Sequence, residues 1–128
     1  MVTVLQISDT HFRAEPHTPT HRDPDAALSA TIAAVRDLGA DLVVLTGDLT
    51  DDGSLPALER LRDTIGQLSA PILAVAGNHD DAPNVREVFG SVDTVELGAW
   101  RVLNQQRPRR SCTTCSCNKN SKANIGCR

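Results

Sequence analysis

The stretch Asp41-Leu42-Val43-Val44-Leu45-Thr46-Gly47-Asp48 decides how this chain is read. Its unbroken aliphatic run, Leu42 to Leu45, has the length of a buried strand, and Thr46-Gly47-Asp48 ends it with turn chemistry. Upstream, Ala27, Leu28, Thr31, Ile32, Val35 and Leu38 recur at helical spacing, with Gly39 as a C-terminal stop. Asp23-Pro24-Asp25 opens that helix: Asp caps orphan amides, Pro fits the first turn, and acids suit the positive end of the dipole. Further upstream, Val2 to Ile7 is a first strand ending at Ser8-Asp9, joined to the helix by a polar loop with Pro16 and Pro19. Downstream, Leu55, Leu58, Leu61, Ile65 and Leu68 make a second amphipathic helix capped by Ser54. Pro71 to Ala76 is a third strand, breaking at Gly77-Asn78-His79-Asp80. A short helix near Asn84 to Phe89 follows, then strands at Thr94 to Leu97 and Trp100 to Leu103 around Gly98, with Phe89 and Trp100 expected in the core. Strand, helix, strand, helix, strand at these crossover lengths implies right-handed βαβ units, a parallel sheet and an α/β fold.

The chain has 128 residues, 40% hydrophobic and 23% charged, which suits one soluble domain with a modest core. Its apolar runs are too short to span a bilayer. The N-terminus has neither basic leader nor long apolar region, so a cytoplasmic protein without membrane attachment is expected. Charge divides the chain in two. Residues 1–103 carry seven Arg against all 16 acids, a formal −9, while residues 104–128 carry four Arg, two Lys, all four Cys and no acid, a formal +6. Two segments follow: a folded body over 1–103 and a Cys-rich basic tail over 104–128.

Function is read from where the polar residues fall. Ligands in open α/β sheets bind outside the carboxyl ends of the strands. Three such loops carry Asp9-Thr10-His11, Gly47-Asp48 and Gly77-Asn78-His79-Asp80, and should converge on one crevice. Asp9 and His11, two apart on an extended segment, can face the same way and grip one cation. Mixed carboxylate and imidazole ligands suit Mn, Fe, Zn or Co rather than Ca. Asp48 has two oxygens with which to bridge two metals, and the Asn78 oxygen can bind the second. Gly47 and Gly77 leave room for close backbone approach.

These residues resemble the calcineurin-like metallophosphoesterases, whose pattern is Asp-x-His, then Gly-Asp-x-x-Asp, then Gly-Asn-His-Asp or Glu. Here the pattern stands as Asp9-Thr10-His11, Gly47-Asp48-Leu49-Thr50-Asp51 and Gly77-Asn78-His79-Asp80. Ile7-Ser8-Asp9-Thr10-His11, with Asp at the end of the third motif, is most similar to the bacterial class III cyclic-nucleotide phosphodiesterases. The resemblance covers residues 2–103 and implies a layered fold with a βαβαβ start. It also implies hydrolysis of a small phosphodiester, such as a cyclic nucleotide, by two divalent metal ions that activate water. By that likeness Asp9, His11 and Asp48 hold the first metal, and Asp48 and Asn78 the second. His79 is implied as the catalytic histidine that stabilises the transition state or protonates the leaving oxygen, while Asp51 and Asp80 orient imidazoles or waters. The family pattern continues with an isolated His and a Gly-His-x-His motif, whereas the last His here is His79. The chain therefore resembles the N-terminal half of such an enzyme, and self-association through an unpaired strand edge is expected.

Two other functions compete. A catalytically disabled metal- or ligand-binding remnant follows from the missing histidines. A DNA nuclease of the same superfamily is disfavoured, because an acidic body opposes the phosphate backbone of nucleic acid. His17 and His21, in the Pro-rich loop, are expected as surface imidazoles. In the tail, Cys112, Cys115, Cys117 and Cys127 follow Cys-x2-Cys-x-Cys-x9-Cys, a set of four thiols able to hold zinc, among Arg and Lys that suit phosphates. The tight Cys-x-Cys step and the scarcity of apolar residues count against a zinc module, and the abrupt change of composition points instead to a tail that is unstructured or foreign to the domain.

Overall fold

The computed structural model describes residues 1–16, 23–91 and 93–104. The expectations for His17, His21 and the Cys-rich tail lie outside those residues. Strands β1 (Val4–Ser8), β2 (Leu42–Thr46) and β3 (Ile72–Ala74) alternate with helices α1 (Pro24–Val35) and α2 (Leu55–Ile65). Helix α3 (Ala82–Phe89) and strands β4 (Thr94–Leu97) and β5 (Trp100–Leu103) complete the order. The first three strands form one parallel sheet, in the order β1-β2-β3, with Ile7 opposite Leu45 and Leu45 opposite Ala74. β4 and β5 pair as a separate antiparallel hairpin.

β2 lies at the centre of the sheet, with Leu42, Val43 and Leu45 fully buried. Around it one cluster gathers Ile7 of β1, Leu28 and Ile32 of α1, Leu58, Leu61 and Ile65 of α2, and Val85 of α3. Local chemistry sets the helix starts. The Asp23 carboxylate accepts from the amides of Asp25 and Ala26, and Asp81 accepts from that of Asn84. Both helices carry Pro in the first turn, where no intrahelical donor is lost. Because Asp81 caps it, α3 begins two residues before the Asn84 at which the sequence reading placed its start. After α1, a 3-10 turn over Arg36–Leu38 leads into Gly39 at φ 63°, the stop expected there.

Two expectations are corrected. Ser54 occupies the N-cap position of α2, but its hydroxyl makes no capping bond and is buried without a partner. Pro56 supplies no N–H at a position a cap normally serves, and the Ser54 amide is itself held by Asp52 Oδ1 at 3.0 Å. Trp100 is 69% exposed rather than in the core. The hairpin that carries it stands outside the parallel sheet, and its ring lines an open apolar groove of about 470 Å³ with Met1, Val2, Val4 and Leu97. Phe89 is partly buried against the main cluster, as expected. Among the described residues, no helix is long and apolar enough to cross a membrane.

Truncating Leu58 to Ala should cost about 2–5 kcal/mol, because a filled position at the cluster centre is emptied. The same change at Leu38, which is 64% exposed, should stay within about 0.5 kcal/mol. Urea denaturation of the two variants checks the placement of the core; equal losses would contradict it.

Candidate functional site

The carboxyl ends of β1, β2 and β3 lie side by side, so the three loops that follow them meet. Asp9 is tied to the β2 loop: its amide donates to the Thr46 carbonyl at 3.1 Å, and its Oδ1 accepts from the Asp48 amide at 3.2 Å. The Ser8 hydroxyl holds the other oxygen. The chain then bends rather than running extended as expected, with Asp9 at φ 56° and His11 at φ 47°. Left-handed geometry is costly for residues with a Cβ and persists only where surrounding bonds impose it. Here they do. The His11 amide donates to the Asp48 carbonyl, the Phe12 amide to the Leu49 carbonyl, and the Asp51 amide returns a bond to the Phe12 carbonyl.

This bend delivers donor atoms of Asp9, His11 and Asp48 to within 4.8 Å of one another. One first-row ion spans about 4.2 Å between opposite ligands, twice a bond of ~2.1 Å, so the three need close only slightly to share a cation. The chemistry of the set fits as well: two carboxylates converge with an imidazole, and no cationic side chain is part of the group. The backbone leaves them space. A Cβ on Gly47 would collide with the Asp9 carboxylate, and one on Gly77 with Asp48 Oδ1 and the Gly47 carbonyl. Glycine at both positions is thus a condition of the geometry.

The remaining residues surround that cluster. The His11 Nδ1 lies 2.9 Å from Asp51 Oδ1, and Asp51 Oδ2 accepts from Arg13 Nε at 2.6 Å. The His79 amide donates to Asp48 Oδ1 at 3.0 Å, and its ring meets the His11 ring edge-on with centroids 5.8 Å apart. His79 Nδ1 lies 3.1 Å from the Asp51 carbonyl and must donate to it, which leaves Nε2 facing Asp48 Oδ2 at 3.8 Å. Asn78 is exposed, between Gly77 and His79. Among the described residues, Asp80 pairs with backbone amides and Thr50 rather than with an imidazole. Its carboxylate accepts from the amides of Leu49 and Thr50, the Thr50 hydroxyl and the Gly77 amide at 2.8–2.9 Å, joining the second loop to the third. Arg13 and Thr50 were not singled out in the sequence. Thr50 occupies an unspecified position of Gly-Asp-x-x-Asp and Arg13 lies beyond Asp-x-His, so no pattern marks either.

Hydrogen bonds from Ser8 and the Asp48 amide hold the Asp9 carboxyl below its ordinary range. For Asp51, partial burial pushes upward, but bonds from Arg13 and then His11 outweigh it and the carboxyl is also lowered. A carboxyl lowered by folding contributes stability above its unfolded value near 3.8, and that contribution is lost as pH falls through the folded value. Asp51→Asn should therefore flatten the acid limb of stability against pH, measured as urea midpoints. An unchanged acid limb would contradict the shift.

Residues 2–115 match the sequence profile of the calcineurin-like phosphoesterases. A probable cyclic nucleotide phosphodiesterase of Synechococcus sp. is 32% identical, with 85% of this chain and 46% of that protein covered. A probable glycerophosphodiester phosphodiesterase of Arcobacter nitrofigilis is 33% identical over 73% of this chain and 35% of its own length. A 3',5'-cyclic adenosine monophosphate phosphodiesterase of Pseudomonas aeruginosa is 35% identical over 80% and 40%. The chain thus spans less than half the length of each of these relatives. With the profile matched over most of its residues, and the three motifs it carries standing on adjoining strand ends, this chain belongs to the calcineurin-like phosphoesterase family.

Proposed function

We propose that the protein hydrolyses small phosphodiesters, cyclic nucleotides among them, with divalent cations held at the strand ends. The observation that carries this reading is the convergence of Asp9, His11 and Asp48 donors within 4.8 Å, with His79 beside them. Asp9, His11 and Asp48 would hold one ion of the Mn, Fe, Zn or Co type, and Asp48 with Asn78 a second. Such ions lower the pKa of water and stabilise charge on phosphoryl oxygens. The relatives named as phosphodiesterases support the substrate class. The formal −9 of residues 1–103 favours a small diester over nucleic acid.

The side chains divide the remaining work. Asp51 keeps His11 Nδ1 engaged, so the lone pair available to a cation is on Nε2. His79 has its Nδ1–H fixed on the Asp51 carbonyl, so only the imidazolium form carries a transferable proton, the one on Nε2. Delivered to the departing alkoxide, that proton avoids release of a strongly basic leaving group. Asp80 orients backbone, keeping Asp48 and His79 in register. The second reading is a cation-binding chain without turnover, favoured by Asp9, His11 and Asp48 being the one such group of three donors among the described residues.

Hydrolysis of a chromogenic diester with Mn²⁺ separates the two. Turnover that Asp48→Ala abolishes is expected; a folded, Mn²⁺-saturated chain without turnover would favour the second reading. His79→Gln should keep Mn²⁺ affinity while lowering kcat by about 10²–10⁴. Unchanged kcat in that variant would remove His79 from the chemistry.

A further inference from the structure

The Asp51 carboxylate is divided between two donors, Oδ1 to His11 Nδ1 and Oδ2 to Arg13 Nε. Its oxygens share one rigid plane, so holding one fixes the direction of the other. We propose that Arg13 is a positioning residue for the His11 imidazole. By gripping Asp51 Oδ2 at 2.6 Å it aims Oδ1 at His11 Nδ1, which holds the ring in its Nδ1–H tautomer and keeps the Nε2 lone pair free for a divalent cation.

The backbone does not do this by itself. Main-chain bonds from His11, Phe12 and Asp51 set the path of residues 11–13 against the β2 loop. The Arg60 guanidinium secures the same segment from outside, donating to the Arg13 carbonyl and to Asp25, with its carbon 5.2 Å from the centroid of the buried Phe12 ring. None of these bonds reaches the Asp51 carboxylate. Among the described residues its side-chain donors are His11 and Arg13, so removing the guanidinium leaves its rotation to His11 alone. Arg13 is 59% exposed, and an ion pair so open to solvent adds little to stability. Its effect is directional. The planar Arg offers Nε in a fixed direction, whereas Lys supplies a charge on a flexible stem.

The tautomer consequence rests on geometry alone; the cation consequence rests on the proposed function. Two measurements keep them apart. Long-range ¹H–¹⁵N NMR of the metal-free full chain, at a pH where the ring is neutral, should report His11 as the Nδ1–H tautomer. Arg13→Gln should give a mixture, and Arg13→Lys should restore it in part. Calorimetric titration with Mn²⁺ should show affinity about tenfold weaker in Arg13→Gln at unchanged thermal midpoint, the size typical of partners behind a ligand. Wild-type tautomer and affinity in Arg13→Gln would overturn the proposal. A wild-type chain that binds no Mn²⁺ would overturn the cation site, and the tautomer comparison would then decide the role of Arg13.

Discussion

Four hydrogen bonds to one carboxylate hold the loop after β2 to the loop after β3. Asp80, at the end of the loop after β3, accepts from the amides of Leu49, Thr50 and Gly77 and from the Thr50 hydroxyl. Loops after parallel strands have no ladder of their own, so their amides must find other acceptors. Asp80 satisfies three of them at once. Leu49 follows Asp48 and Gly77 lies two residues before His79, so the carboxylate fixes the spacing between a candidate ligand and a candidate proton donor. The buried Thr50 hydroxyl extends the clamp by accepting from the Gly53 amide at 2.9 Å.

The first loop is controlled differently. It carries its two functional side chains on left-handed residues, and the cost of that geometry is offset by bonds to the second loop rather than within its own segment. Asp48 is the meeting point. Its amide binds Asp9, its carbonyl accepts from His11, and its carboxylate accepts from the His79 amide. The three motifs are therefore interdependent in structure before any cation enters. Substitution at one should disturb the others through these bonds.

The parallel sheet was legible because its strands are short, apolar and bounded by turn residues. The candidate site was legible as residue types at strand ends. What the sequence could not supply was direction. Asp9 and His11 were expected on an extended segment, but presentation on one side comes from left-handed turns imposed by the neighbouring loop. Asp80 was expected to orient an imidazole or water, and it binds amides whose position depends on tertiary structure. Trp100 was assigned to the core on its hydrophobicity, yet its hairpin lies outside the parallel sheet. Arg13 left no periodic or motif signal, because its role comes from a carboxylate 38 residues away.

The account stands on one claim: the strand-end carboxylates and His11 form a divalent-cation site. Crystals grown with Mn²⁺ and measured at the manganese edge test it most directly. The account predicts an anomalous peak within about 2.0–2.3 Å of Asp9, His11 and Asp48 donor atoms, with Asp51 still on His11 Nδ1. Manganese bound elsewhere on the chain, with those three side chains free of it, would contradict the account.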